Sequence, residues 1–192
     1  MGVTVTNLTA GPADIYTAAF GASETGLFVA AWSAPASATW TDMGGTDDGI
    51  KLVIDQNYME LQVDQIVDIP GRRLTKRELT LETKMAEPTL ANLKLALNAG
   101  TVTASAGAFT QFDPVLGDTS ATQPTYTAVM FDGWAPATNV VRRRVLGRKM
   151  LSVDGAKDSE YKKDGQTFFG VKFSGHYVSA STGPFKVHDF TS

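Results

Sequence analysis

Two segments in which apolar and polar residues alternate constrain the fold of this chain more than any other feature. In residues 59–64 the odd positions carry Met, Leu and Val, while the even positions carry Glu, Gln and Asp. In residues 78–85, Leu79, Leu81 and Met85 alternate in the same way with Glu78, Thr80, Glu82 and Lys84. Such a period of two is typical of a strand with one buried face and one wet face. Because Pro70 and Gly71 interrupt the pattern, the two segments predict a β-ribbon that turns there.

The polar positions of this ribbon predict one continuous and mostly acidic surface. If the apolar positions form the core, the polar positions all face away from it. The predicted polar set consists of Glu60, Gln62, Asp64, Glu78, Thr80, Glu82 and Lys84. From the pattern alone, an ordinary solvated sheet face is the simpler interpretation of this set.

A single amphipathic helix is predicted directly after the ribbon. Pro88 suits a first helical turn, where a missing N–H costs nothing, and Asn98 and Gly100 suit its end. The predicted helix core is the leucine stripe Leu90, Leu93 and Leu97, which should pack on a sheet. The remaining chain has a mainly β pattern, with strands predicted at 14–20, 27–32, 50–54, 125–132, 139–151 and 167–178.

Length and composition favour one domain over residues 1–192. The chain carries a net charge of −3 and no cysteine, which argues against a nucleic-acid-binding surface and excludes disulfide bonds and thiolate catalysis. No apolar run approaches the roughly 20 residues of a membrane-spanning helix. Small and polar residues predict an N-terminal arm at 1–13 and a long surface loop at 99–124, and a C-terminal arm is predicted at 183–192.

The sequence predicts no catalytic, cofactor-binding or metal-binding site. The two histidines, His176 and His188, have no nucleophile motif beside them, and His176 falls on the polar side of a predicted strand. The acidic pair before Gly49 lacks the spacing of a calcium loop. The arginine run 142–144 is interpreted as a solvated or subunit-facing surface, since alternate residues of a strand point in opposite directions. We therefore expect a protein that is not an enzyme.

The stretch from Gly44 to Asn98 resembles the major tail tube proteins of long-tailed, non-contractile bacteriophages. Four features carry the resemblance: an Asp-Asp-Gly turn before a strand at 47–50, a Val-Asp-Gln segment at 63–65, the long strand that follows, and the helical segment 86–97. The match covers about 55 residues, and the flanks agree only in the order of their elements.

The resemblance implies a β-sandwich or half-barrel subunit with one flanking α-helix, whose strands complete an inner β-barrel in a ring. It implies hexameric rings, made in the bacterial host cytoplasm, that stack into the tail tube of the virion. DNA would pass through the lumen without specific binding, and the polar set of the ribbon would face that lumen. A tape-measure protein would lie inside, tail-tip and tail-terminator proteins would bind the ends, and neither cofactor nor membrane would be involved.

Two other classes of function stay open from the sequence. One is a tube subunit of a secretion system, or another virion protein such as a distal tail or head-decoration subunit. The other is a carbohydrate-binding β-sandwich in which Trp32, Trp40 and Trp134 form sugar platforms, although core or interface packing is the simpler role for these rings.

Overall fold

The computed structural model describes residues 12–114, 124–136, 141–155, 161 and 163–191. Within these ranges the fold is mainly β, with one short helix, as the sequence predicts. The elements in chain order are β1 (Asp14–Ala19), β2 (Thr41–Asp42), β3 (Thr46–Val63), β4 (Ile66–Met85), α1 (Leu90–Ala96), β5 (Thr101–Ser105), β6 (Phe109–Asp113), β7 (Thr127–Trp134), β8 (Arg142–Ser152), β9 (Phe169–Gly175) and β10 (Phe185–Asp189).

The large antiparallel sheet bends back on itself at β8. Its strand order is β2-β1-β7-β8-β9-β4-β3, and β10 also pairs with β8. The first part of β8 pairs with β10, while its last residues, from Met150 to Ser152, pair with β9. Side chains from both ends of the sheet, including Ile15 of β1 and Leu81 of β4, share one buried core. This arrangement is a β-sandwich whose interior lies between β1–β7 and β9–β4.

A second core covers the opposite face of β7 and β8. It joins Met130 and Leu146 of these strands to Leu27 and Trp40, which lie in the segment between β1 and β2. The strand predicted at 27–32 is wrong, because this segment consists of turns and bends that lie across the sheet. Its apolar residues cover a neighbouring surface instead of pairing with a strand.

The turn of the long hairpin is displaced from its predicted position. Asp64 and Gln65 form the turn between β3 and β4, whereas Pro70 and Gly71 lie inside β4. The pairing is irregular here, since Leu61 pairs with Gly71 and the next pair joins Val63 to Ile66. Pro70 is tolerated in β4 because the pairing with β3 is irregular here, so not every backbone N–H of this stretch is needed for a hydrogen bond to β3.

The predicted long loop and the predicted C-terminal arm both contain strands. In the loop predicted at 99–124, β5 and β6 pair as a separate two-stranded ribbon. In the arm predicted at 183–192, β10 pairs with β8 from Phe185 to Asp189, so this segment belongs to the sheet. Most of the arm predicted at 1–13 lies outside the described residues.

The helix is buried through different residues from those predicted. Thr89 caps α1 by accepting a hydrogen bond from the Asn92 backbone N–H at 3.2 Å. Asn92 and Ala96 are the buried residues, and the Asn92 amide donates to the Met43 carbonyl at 3.1 Å. Leu93 is half-buried against the main core, and Leu90 is also half-buried. Leu97 was wrongly predicted to be buried: it is 44% exposed, because the asparagine anchor turns the 92/96 face towards the sheet.

We predict that Leu93→Ala and Leu97→Ala differ in their effects on stability. Leu93→Ala should lower the free energy of unfolding by about 2 kcal/mol, at the lower end of the range for core leucines, because its side chain is only half-buried. Leu97→Ala should change it by less than about 0.5 kcal/mol. Chemical denaturation of both variants checks this expectation. Equal losses would show that the helix packs through the leucine stripe after all.

Candidate assembly interface

The hairpin of β3 and β4 projects away from the sandwich. Every residue from 53 to 78 apart from Gly71 is exposed, and we call this segment the projecting ribbon. β3 alone extends about 33 Å from Val53 to Val63, at a rise of about 3.3 Å per residue. β3 is also the last strand in the order of the large sheet, so within the described chain its outer edge carries no partner strand. An unpaired edge of this length is a template for another strand.

The pairing register determines which side chains share a face of the projecting ribbon. Residues directly opposite each other in an antiparallel pair lie on the same face. Leu52 pairs with Leu81, so the even positions of β3 continue the core face. Between the Asn57–Lys76 pair and the Tyr58–Leu74 pair, β4 contains one extra residue, Thr75, which makes a β-bulge. β3 has no extra residue there, so its own alternation continues.

This register contradicts the predicted single polar surface. Glu60, and Gln62 by the same alternation, lie on the core-face side of β3, whereas Glu82 is paired with Lys51 on the opposite face. Asp64 lies in the terminal turn. Met59, Leu61 and Val63 were expected to form the core, but they are exposed. They share the face of the following residues of β4: Glu78, Thr80, Glu82 and Lys84.

Two apolar patches result, one on each face of the projecting ribbon. The base patch lies nearer the body on the core-face side and consists of Ile54, Tyr58 and Leu74. The tip patch lies on the other face and consists of Met59, Leu61, Val63 and Ile66. These side chains are 40% to 54% exposed. The tip patch is continuous along alternate positions of β3, while Gln56 and Arg77 lie within the base patch; exposed clusters of large apolar side chains are typical of interaction sites.

The polar face of the sheet beside the ribbon is ion-paired rather than acidic. The Glu82 carboxylate accepts from Lys51 at 3.1 Å and lies 3.0 Å from the Lys172 ammonium. Hydrogen bonds from Lys172 and then Lys51 lower the pKa of Glu82. Glu78 pairs with Lys76 at 2.5 Å. The acidic pattern of β4 was misleading because Lys51 and Lys172 come from neighbouring strands.

The arginine run 142–144 forms three separate ion pairs. Arg142 pairs with Asp14 at 2.8 Å, and Arg143 pairs with Asp189 at 2.6 Å. The side chains of Arg144 and Asp132 are both completely buried, with 2.6 Å between guanidinium and carboxylate. The interpretation of the run as a solvated or subunit-facing surface is therefore wrong for Arg144.

The buried ion pair fastens the segment between β1 and β2 to the sheet. The Arg144 guanidinium donates to both Asp132 oxygens and to the backbone carbonyls of Leu27 and Ser33, each at 2.8 Å or less. The Trp32 indole N–H donates to the same Asp132 carboxylate at 2.8 Å. These hydrogen bonds satisfy the buried charges of Arg144 and Asp132 and hold the segment that covers the second core against the sheet.

We predict that the buried and exposed arginines of this run differ strongly in their contributions to stability. Arg144→Met should lower the free energy of unfolding by about 3–5 kcal/mol, because it leaves the Asp132 charge buried without a cation. Arg143→Met should cost less than about 1 kcal/mol, since its ion pair is partly exposed. Thermal melting of both variants gives the comparison. Similar losses would contradict the buried pair.

A pH titration tests the exposed pair between β8 and β10. The hydrogen bond from Arg143 lowers the pKa of Asp189, so the contribution of this carboxylate to stability is fully present above its unfolded pKa of about 3.9. That contribution is lost as the pH falls through the lower folded pKa. Asp189→Asn should therefore be less stable than the natural chain at pH 7, with a difference that shrinks in strong acid. Asp68→Asn, at an exposed site, is the control; a pH-independent difference for Asp189→Asn would refute the assignment.

A groove of about 570 Å³ lies beside β1 and β2, at the end of the strand order that is opposite to β3. It is bordered by α1, by β1 and β2, and by the start of β7. Its apolar lining includes Ala18, Ala91 and Leu95, and two carboxylates, Asp42 and Glu87, lie beside them. Lys94 is also part of the lining. The volume is within the roughly 300–1,000 Å³ of sites that accept a small ligand or a few side chains.

The three tryptophans do not form open platforms for a sugar. Trp40 is buried in the second core at 3% exposure. Trp32 and Trp134 are half-buried, and the Arg142 guanidinium lies over both rings, at 4.2 Å and 5.3 Å from their centroids. The packing role is therefore the one that the geometry supports.

The two histidines also contact aromatic rings. His176 was expected to be solvated, but it is half-buried with its ring edge-on to Tyr126. Burial, and secondly the charge of Lys149, lower the pKa of His176. His188 lies between the rings of Phe28 and Phe190. Within the described ranges, no group of three metal-ligating side chains could hold an ion, and no helix is long and apolar enough to cross a membrane.

No protein-family model matches the sequence, and no significant match is found among curated proteins. The functional assignment therefore depends on the chain's own surfaces, above all on the projecting ribbon.

Proposed function

We propose that the chain is a structural subunit that assembles into stacked hexameric rings, the tail tube of a long-tailed, non-contractile bacteriophage. The observation that carries this proposal is the projecting ribbon, whose residues 53–78 are exposed on both faces. A ribbon with large apolar side chains on both faces is stabilised when other molecules cover it. The resemblance of residues 44–98 to tail tube proteins supports the proposal that those molecules are further copies of the chain.

The two ends of the sheet favour head-to-tail contacts between the copies. One end is β3, with eighteen residues, and the other is β2, with two. Because these edges differ so much, a joint between them is heterologous, and repeated heterologous contacts generate a ring or an open helix. A closed ring leaves no free sheet edge. The number six comes from the resemblance.

The part of the polar face of β3, β4 and β9 that lies nearest the body is our candidate for the lining of the tube, whereas the tip patch lies on the same face further out along the projecting ribbon. The part nearest the body carries Glu78, Thr80, Glu82 and Lys84, together with lysines of the adjacent strands. Lysines that are already paired with carboxylates offer few free cations to phosphates, so DNA would bind such a wall weakly. A conduit for DNA ejection needs that property. The tape-measure, tail-tip and tail-terminator proteins are the further partners that this role implies.

Electron microscopy and sedimentation of the purified protein test the proposal. We expect particles of uniform diameter with six-fold symmetry, which stack into tubes as the concentration rises or when tail-tip complexes are added. The Glu82 carboxylate is already paired with Lys51 and Lys172 of its own chain, so we do not expect it to bind a neighbouring copy. Ring formation should therefore be insensitive to Glu82→Gln, which serves as the control on that face. A protein that stays monomeric under both conditions, or that forms only irregular aggregates, would contradict the proposed function.

A further inference from the structure

We propose that the two apolar patches of the projecting ribbon bind two different copies of the chain. The base patch occupies the groove of the neighbour in the same ring, and the tip patch contacts a copy in the next ring. This inference rests on the proposed function and adds to it which surface makes each contact.

The two patches cannot be covered by one flat surface. Tyr58 and Leu74 pair on the core-face side of the ribbon, while Met59 and Leu61 lie on the other side. The side chains of a strand point to opposite faces at successive positions, so the patches point in opposite directions. Each patch therefore needs its own covering surface.

The patches also differ in their distance from the body. Ile54 of the base patch is paired with Leu79, the first buried residue at that end of β4. Tyr58, at the outer end of the base patch, lies about 13 Å further along β3, whereas the tip patch extends from about 17 Å at Met59 to about 30 Å at Val63. A body beside its own can thus cover the base patch. The outer part of the tip patch, near Val63, extends beyond the base patch towards another layer of subunits.

The groove complements the base patch in polarity and in charge. It is an apolar hollow bordered by β1 and β2, which stand at the opposite end of the strand order from β3, and a contact between two such different surfaces is heterologous. Arg77 shares the face of the base patch, because it pairs with Gln56. The groove presents Asp42 and Glu87, whose carboxylates are oriented by the backbone N–H groups of residues 44 and 45. The lining also contains one cation, Lys94, so the two carboxylates leave the groove with an excess of one negative charge for Arg77.

Three double variants separate the two contacts. The base variant is Ile54→Ser with Leu74→Ser, and the tip variant is Met59→Ser with Leu61→Ser. The control is Val29→Ser with Val187→Ser, two exposed valines outside the projecting ribbon with similar exposed fractions. Because all six side chains are exposed, the isolated subunits should melt within a few degrees of the natural chain.

Sedimentation and electron microscopy should then give three distinct results. The base variant should remain monomeric, the tip variant should form single rings that do not stack, and the control should form tubes like the natural chain. Base and tip variants with the same phenotype would overturn the inference while leaving the proposed function intact. A natural chain that never forms rings would overturn the proposed function and this inference with it.

Exchanging the charges of Arg77 and Glu87 tests whether the base patch binds in the groove. Arg77→Glu and Glu87→Arg should each raise the concentration needed for ring formation by at least about threefold, the size expected of a solvent-accessible ion pair. The double variant should restore the natural concentration. Additive losses in the double variant would place the base patch elsewhere and refute its assignment to the groove.

Discussion

The projecting ribbon depends on the apolar anchor at the C-terminal end of β4. Leu79, Leu81 and Met85 are buried at 3% exposure or less, and β9 pairs with this part of β4. Burial of each such side chain contributes about 1.5–3 kcal/mol relative to an exposed one. An isolated two-stranded hairpin is marginally stable in water. The anchor therefore allows the other half of β3 and β4 to remain paired with both faces in solvent, which is the geometry that the proposed assembly uses.

The same geometry would be a hazard for a chain that works as a monomer. A long edge strand with exposed apolar residues invites uncontrolled pairing, and natural monomers usually shorten, charge or cover such edges. At the start of β3, Asp48 and Gly49 have φ values of 59° and 72° and interrupt the pairing with β4. Beyond this bulge, β3 continues from Ile50 to Val63 and contains no proline. Retention of such an edge is consistent with controlled pairing between copies, whereas the opposite edge, β2, is short.

The sequence predicted the positions of the strands and the helix better than it predicted which of their side chains are buried. Alternation correctly indicated strand at 78–85, and the helix was expected within one turn of its position. Alternation shows which residues share a face of a strand, but it does not show whether another part of the chain covers that face. Met59 and Leu61 were therefore assigned to a core, although the core does not extend to them. The extra residue Thr75 and the turn at Asp64 shift the faces of the ribbon, and neither has a strong sequence signal. Arg144 could not be recognised as buried because Asp132 becomes its neighbour only when β7 and β8 pair.

We infer that the projecting ribbon is the surface through which copies of this chain assemble. Hydrogen exchange, measured by mass spectrometry on the free subunit and on the assembled state, tests it most directly. We expect the amides of residues 53–63 that point away from β4 to exchange rapidly in the free subunit and to become protected on assembly, while amides of β7 and β8 are protected in both states. Equal exchange of residues 53–63 before and after assembly would contradict the claim.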